Sequence, residues 1–139
     1  MTAPRLVFLL SVAERAVHRW IDARGRADHV TAATAGALFH VLRHPNSTMA
    51  QIATALQASA AGASGLLARM EAAGLVIRHS DAEDQRVIRV NLTAHGAATA
   101  SRAGLALQEL NKELTDGFDE AELAIVARWL RHVAATTSS

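Results

Sequence analysis

The sequence contains no cysteine and no tyrosine, and only 4% of its 139 residues are aromatic. The absence of cysteine excludes disulfide bonds, thiolate metal sites and thiol-based oxidant sensing. The apolar residues are mostly Ala, Leu and Val, whereas large sheets favour β-branched and aromatic side chains. The composition therefore predicts a mainly helical fold without covalent cross-links.

Long hydrophobic runs are also missing. No apolar stretch approaches the ~20 residues that span a bilayer, and the amphipathic N-terminal segment contains Arg5, Glu14 and Arg15. We therefore expect neither a signal peptide nor a membrane anchor, and a cytoplasmic protein. A chain of 139 residues with 50% hydrophobic content predicts one domain with an ample core.

Charge is nearly balanced, with a formal net charge of +1. The first 100 residues carry ten basic and seven acidic side chains, whereas the last 39 carry four and six. The acidic end is therefore not expected to face phosphate. Nearly all the basic residues are arginine, which either suits bidentate contacts to phosphate and guanine or reflects the base composition of the genome.

Apolar residues at a spacing of three to four predict four helices in the first half of the chain. The predicted helices run from about 5 to 23, 31 to 44, 48 to 56 and 59 to 73. Thr31, then Ser47 or Thr48, and then Ser59 are the expected N-caps of the last three. Gly74 is the expected terminator of the fourth helix.

Beyond Gly74 the apolar period changes to two, which predicts a β-hairpin with strands near 75–79 and 88–92 and a turn near 81–85. A long helix is expected from Thr93 to about Thr115, with Gly96 as a tolerated defect. Asp119 and Glu122 predict the capping box of a last helix. The tail from 134 to 139 is expected to fray.

The order of four helices, a hairpin and two helices is typical of a winged helix-turn-helix, and residues 47–96 resemble the MarR family. Gln51-Ile52-Ala53 and the run from 66 to 76 match the helix pair of that family. The most specific part is the acid-rich turn from Asp81 to Arg86, followed by a hydrophobic strand and by Leu92-Thr93-x-x-Gly96.

The resemblance implies a mainly α (α+β) fold: a winged helix-turn-helix lobe with a β-hairpin wing, plus N- and C-terminal dimerisation helices. The expected single domain spans 1–139, with a DNA-binding lobe at about 31–92 and dimerisation helices at about 5–24 and 94–134. It also implies a homodimer that binds double-stranded DNA at an inverted-repeat operator. Repression is the default role, with release by a small aromatic or anionic effector, and no cofactor is expected.

For the DNA contacts, the N-terminal half of helix 4 is expected in the major groove and Arg86 of the wing in the minor groove. Asp84 is expected to orient Arg86, although a charged turn is also compatible with simple solvation. Arg69 either touches a phosphate or lies on the solvent side of its helix. The predicted DNA-binding residues are Ser59, Ala60, Ala61, Gly62, Ala63, Ser64, Gly65, Arg69, Asp84 and Arg86.

Helix 4 departs from the family pattern because its first two turns are rich in Ala and Gly. Only Ser59 and Ser64 offer hydrogen-bonding side chains there, which favours recognition of thymine methyl groups or groove shape. The alternative is a winged-helix ligand-binding or protein-interaction module whose specific DNA binding is weakened or lost.

Effector-site candidates lie on the first two helices and would line a cleft in such a regulator, with Trp20 and Phe39 as core residues in the alternative interpretation. They are His18, Trp20, Arg24, Phe39 and His40. His40 and His44 have the i, i+4 spacing of metal ligands, but a surface pair is preferred because no further ligand accompanies them. No metal site and no catalytic constellation emerges, so the chain is not expected to be an enzyme.

Overall fold

The computed structural model describes residues 4–138. In chain order its elements are α1 (Leu6–Gly25), a 3₁₀ turn (Arg26–Asp28), α2 (Ala32–Arg43), β1 (Ser47–Thr48), α3 (Met49–Ala55), α4 (Ala60–Ala72), β2 (Val76–Ser80), β3 (Ile88–Leu92), α5 (Ala94–Thr115) and α6 (Glu120–Thr137). This architecture confirms the predicted fold class. Within the described part of the chain, no helix is long and apolar enough to span a membrane.

The helix starts follow local capping chemistry. Thr31 Oγ1 accepts from Thr34 N, and Ser59 Oγ accepts from Gly62 N at 3.0 Å. Thr48 rather than Ser47 caps α3, in a capping box with Gln51. The predicted box of Asp119 and Glu122 at α6 is confirmed.

The three strands form an antiparallel sheet in the order β1-β3-β2. In the hairpin, Val76 faces Leu92 and Ser80 faces Ile88. The two residues of β1 were not predicted as a strand, because two residues are too few to show an alternating pattern. Ser47 pairs with Val90 and is buried, which attaches the start of α3 to the hairpin.

The core lies between α2, α3, α4, the sheet and the start of α5. Its buried members are Ala37, Leu38, Val41, Ile52, Leu66, Leu67, Met70, Leu75, Val76, Val90 and Ala100. At ~25 cal/mol per Å² of apolar surface, this burial is the main stabilising contribution that holds α4 against the sheet.

Gly96 is required by packing and is not a tolerated defect. A Cβ at this position would lie 1.9 Å from the carbonyl oxygen of Leu75. Thr93 supports the same contact, since its Oγ1 donates to Gly74 O and accepts from Gly96 N. The start of α5 therefore approaches the end of the α4–β2 connection at a distance that only glycine permits.

The expected fraying of the C-terminal tail is wrong for residues 134–137, because α6 continues to Thr137. Ala134 and Ala135 have the highest helix propensity and extend the helix. Ser139 lies outside the described residues.

The chain divides into two compact units, the first ending at Ala103 and the second beginning at Gly104. The first unit contains α1 to α4, the sheet and the start of α5. The second contains the rest of α5 and α6. No residue of α1 or of α6, all of which are described, is buried.

Candidate nucleic-acid interface

Helix α4 buries one face and exposes the other. Ala63, Leu66, Leu67 and Met70 point into the core. The exposed residues of its first two turns are Ala60, Ala61, Gly62 and Ser64, and Gly65 is half-buried. Ala63 is only 1% exposed, so its prediction as a DNA-contacting residue is corrected: it is a core residue.

Ser59 and Ser64 differ in their freedom to bind a ligand. The Ser59 hydroxyl oxygen accepts from Gly62 N and so pairs one of the free amides in the first turn of α4. Ser64 is exposed on the outer face of the helix. Beyond the capping serine, the outer face of these two turns therefore offers one hydroxyl among methyl groups and bare backbone.

Arg69 is exposed and forms no ion pair within residues 4–138. Its Nη1 lies 3.5 Å from where a Cβ of Gly65 would be, so the guanidinium folds back along α4 toward the helix start. It borders a groove of about 550 Å³ that also includes His29 and Thr31. The cation is thus available to an anionic partner at the side of α4 that faces α2.

The tip of the hairpin presents Arg86. Its side chain is 91% exposed, and its Nε and Nη2 donate to the two carboxylate oxygens of Asp84 at 3.0 and 3.1 Å. This bidentate bond lowers the pKa of Asp84 and raises that of Arg86, so both groups stay charged at neutral pH. The structure therefore contains the predicted ion pair, in which Arg86 is almost fully exposed and Asp84 is less exposed.

The wing, α3 and the start of α4 form one concave surface. Arg86, Thr48, Met49 and Ala60 border a groove of about 400 Å³ whose walls are mostly apolar. The exposed start of α4 and the exposed arginine of the wing are therefore brought together by the fold, although 26 positions of sequence separate Ala60 from Arg86.

Asp81 and Arg89 were not identified as site residues by sequence. Asp81 Oδ1 accepts from Arg89 Nε. Asp81 Oδ2 accepts from the amides of Glu83 and Asp84, each at 3.1 Å. These bonds lower the pKa of Asp81, with the Arg89 bond as the largest cause. The eight-residue separation of Asp81 and Arg89 gave no sequence signal, because it becomes a contact only through the hairpin register.

The effector candidates pair mostly within their own helices. His18 lies 3.5 Å from Glu14, and the Arg24 guanidinium lies 4.7 Å from the Trp20 ring centroid. Trp20 and Phe39 are half-buried, so neither is a fully buried core residue. The assignment of His18, Trp20, Arg24, Phe39 and His40 to an effector site stays a prediction.

His40 is the unusual member of that group. Its ring centroid lies 4.9 Å from that of His44, and its Nε2 is buried without a hydrogen-bond partner among the described residues. Burial and the neighbouring His44 both lower the pKa of His40. Over the described range, no group of three or more His, Asp and Glu residues is placed to hold a metal ion.

Comparison with known proteins links this geometry to a family. Residues 30–87, which contain α2, α3, α4 and the first strand and turn of the hairpin, match the family model described as "MarR family". This segment is MarR-like. The resemblance seen in the sequence is thereby confirmed, and the matched region includes α4 and the Asp84–Arg86 pair.

Solved structures of MarR-type regulators share the fold over nearly the whole chain. The transcriptional regulator SlyA has a TM-score of 0.91 at 19% identity, covering 96% of this chain and 94% of its own. Mutant E. coli MarR complexed with operator DNA has a TM-score of 0.83 at 24% identity, and an S. aureus MepR-DNA complex has 0.84 at 21%; both cover 94% of each chain. No curated protein matches the chain significantly.

Proposed function

We propose that this protein is a sequence-specific DNA-binding transcriptional regulator that acts as a homodimer. The observation that carries the proposal is the common surface formed by the exposed start of α4 and the Asp84–Arg86 pair. An α-helix fits the major groove, and an arginine on a hairpin fits the narrower and more negative minor groove beside it. MarR and MepR have been solved with DNA on the same fold.

The composition of α4 suggests how the sequence is read. Ala60 and Ala61 bring methyl groups to the surface, and Gly62 allows close approach of the backbone. We infer that recognition relies on thymine methyl contacts and groove shape, with Ser64 as the hydrogen-bonding exception. Arg69 is proposed to bind a phosphate from the other side of the helix, because its charge has no partner within the described chain.

Dimerisation is proposed because both compact units expose large apolar side chains. In the first unit, Val7 is 81% exposed, and Phe8 and Leu9 are 55% and 53% exposed. In the second, Ile125 is 59% exposed and Leu130 is 42% exposed. Apolar surface of this extent in two terminal regions favours a second copy of the chain as the occupant, with an obligate interface of about 2,000 Å² or more.

Repression of a neighbouring gene, with release by a small aromatic or anionic effector, is the regulatory form that the family resemblance favours. The proposed effector contacts remain His18, Trp20, Arg24, Phe39 and His40, of which Trp20, Phe39 and His40 are half-buried.

The deciding experiment measures affinity for the intergenic DNA next to the gene, with a scrambled duplex of equal length and a salt titration. We expect the intergenic duplex to bind at least about 1,000-fold more tightly than the scrambled one at physiological salt. An inverted repeat in the protected region is expected for a homodimer. Equal affinity for both duplexes would instead favour the alternative function, a winged-helix ligand-binding or protein-interaction module. The scarcity of polar side chains at the start of α4 is the observation that favours this alternative.

A further inference from the structure

The carboxylate of Asp81 binds three donor groups of the wing. Its Oδ1 accepts from Arg89 Nε on β3, and its Oδ2 accepts from the amides of Glu83 and Asp84 in the turn. The Asp81 side chain is 19% exposed and that of Arg89 is 29% exposed. An acid with this many charge-assisted and amide bonds holds the turn and the strand in one arrangement.

The other end of this network is the turn before β1. Arg89 Nη1 donates to the carbonyl oxygen of Asn46 at 3.0 Å. Asn46 N donates to Asn91 Oδ1 at 2.7 Å, and Asn46 has a left-handed backbone with φ 64°. Residues of β3 thus bind Asn46, which directly precedes β1 and α3 in the chain.

The network continues toward the exposed arginine. Asp81 binds the amide of Asp84, and the carboxylate of Asp84 binds the Arg86 guanidinium. We propose that Asp81 is a positioning residue for Arg86, and that it fixes the wing against the α4 surface without contacting DNA itself; this inference rests on the proposed DNA-binding function. Asn46, Arg89, Asp81 and Asp84 form the series of contacts that locates the cation.

Positioning and simple electrostatics make opposite predictions for Asp81. Removing a negative charge from a DNA-facing turn should tighten binding to phosphate if charge alone matters. If Asp81 positions Arg86, the same change should weaken operator binding. The turn contains a matched control in Glu83, which is exposed and whose carboxylate has no hydrogen bond or ion pair within residues 4–138.

The experiment compares Asp81→Asn with Glu83→Gln by operator affinity, each in the parent and in an Arg86→Ala background. The Asn amide can satisfy either Arg89 or the two turn amides, but not both, because one of its two terminal atoms is a donor. We expect Asp81→Asn to weaken operator binding about tenfold in the parent and to cause no further weakening once Arg86 is absent. Glu83→Gln should bind as tightly as the parent or more tightly.

Asp81→Glu provides a second variant that keeps the charge but displaces the carboxylate, and it should also weaken binding. The inference is overturned if Asp81→Asn behaves like Glu83→Gln, or if it loses the same affinity in both backgrounds, as a general folding defect would. A parent protein that fails to distinguish operator from scrambled DNA defeats the proposed function instead. In that event amide exchange decides the positioning role: Asp81→Ala should accelerate exchange at Asp84 and Arg86, and unchanged exchange would reject it.

Discussion

Glu71 on α4 binds Arg78 on β2 through both of its carboxylate oxygens. Oε1 accepts from Arg78 Nη2 at 2.9 Å and from Nε at 3.2 Å, while Oε2 accepts from the Arg78 amide at 3.1 Å. The hydrogen bonds from Arg78 lower the pKa of Glu71. This pair connects the proposed recognition helix directly to the first strand of the wing, so the two elements that are proposed to face DNA are linked by an ion pair.

Glu71→Gln should lower the thermal midpoint of unfolding and weaken operator binding, because the negative charge and one of the two oxygens that accept from Arg78 are lost. The lowered pKa of Glu71 means that the contribution of the pair is present above the ordinary carboxyl pKa and is lost as pH falls through the lowered value. Thermal unfolding of both proteins from pH 7 to pH 3 measures this. The unpartnered Glu83→Gln serves as control, and equal midpoints for all three proteins at pH 7 would contradict the expectation.

Two glycines in helices should respond to alanine in opposite directions. Gly65→Ala meets only ordinary contact with Arg69 Nη1 at 3.5 Å, so it should stabilise the protein by about 1 kcal/mol through helix propensity. Gly96→Ala would place a methyl group 1.9 Å from Leu75 O and should destabilise the fold by about 1–3 kcal/mol. Urea unfolding measures both; stabilisation by Gly96→Ala would show that the α5 start moves freely.

Alanine at Gly62 and Gly65 also tests close approach to DNA. A Cβ at Gly62 would lie 3.1 Å from the capping oxygen of Ser59, so this substitution should stabilise less than Gly65→Ala. If the recognition helix needs bare backbone at the bases, the double variant should lose operator affinity while retaining its affinity for scrambled DNA. Tighter operator binding by the double variant would reject the close-approach argument.

Substitution of Arg86 should reduce DNA affinity more than substitution of Asp84. Arg86→Ala should weaken binding about tenfold or more for each half-site while leaving the thermal midpoint unchanged, because the side chain is almost fully exposed. Asp84→Ala should act in the same direction but more mildly, since the cation remains. Arg128→Ala removes an equal charge from an exposed position on α6 and should leave affinity close to that of the parent. Parent-like binding by both wing variants would reject the wing assignment.

Substitutions in each of the two compact units test the proposed homodimer. Leu9→Glu in α1 and Ile125→Glu in α6 place a charge on strongly exposed apolar positions and should reduce the dimer fraction in sedimentation velocity. Ile77→Glu, at a 53% exposed position on β2, is the control and should remain dimeric. The unfolding midpoint of the parent should rise with protein concentration, as it does when association and folding are coupled. A folded parent monomer at micromolar concentration would defeat the dimer proposal.

His40 should make stability depend on pH near neutrality. Its lowered pKa means that the unfolded chain takes up a proton at a higher pH than the folded chain does. Stability should therefore fall as pH decreases from about 7 through the ordinary histidine pKa toward the lowered one. His40→Gln should flatten this dependence, and His44→Gln should reduce it less, because burial is the larger cause. An unchanged pH profile in His40→Gln would contradict this.

The sequence determined the features that depend on residues close together in the chain. Thr31, Ser59 and Asp119 cap helices because each hydroxyl or carboxylate reaches an amide three residues away. The alternating residues of β3 specify the hairpin. Asp84 and Arg86 are near enough in sequence for their ion pair to be expected. The MarR-like order of elements follows from these local signals.

Only the tertiary structure decided which distant groups meet. Arg89 reaches Asn46 across 43 positions, and Glu71 meets Arg78 because the core packing turns the end of α4 toward β2. The core also buries Ala63, and the carbonyl of Leu75 makes Gly96 indispensable. These contacts leave no periodic trace, because each is fixed by the packing of whole elements and the hairpin register, whereas caps and alternation are fixed by the local backbone geometry.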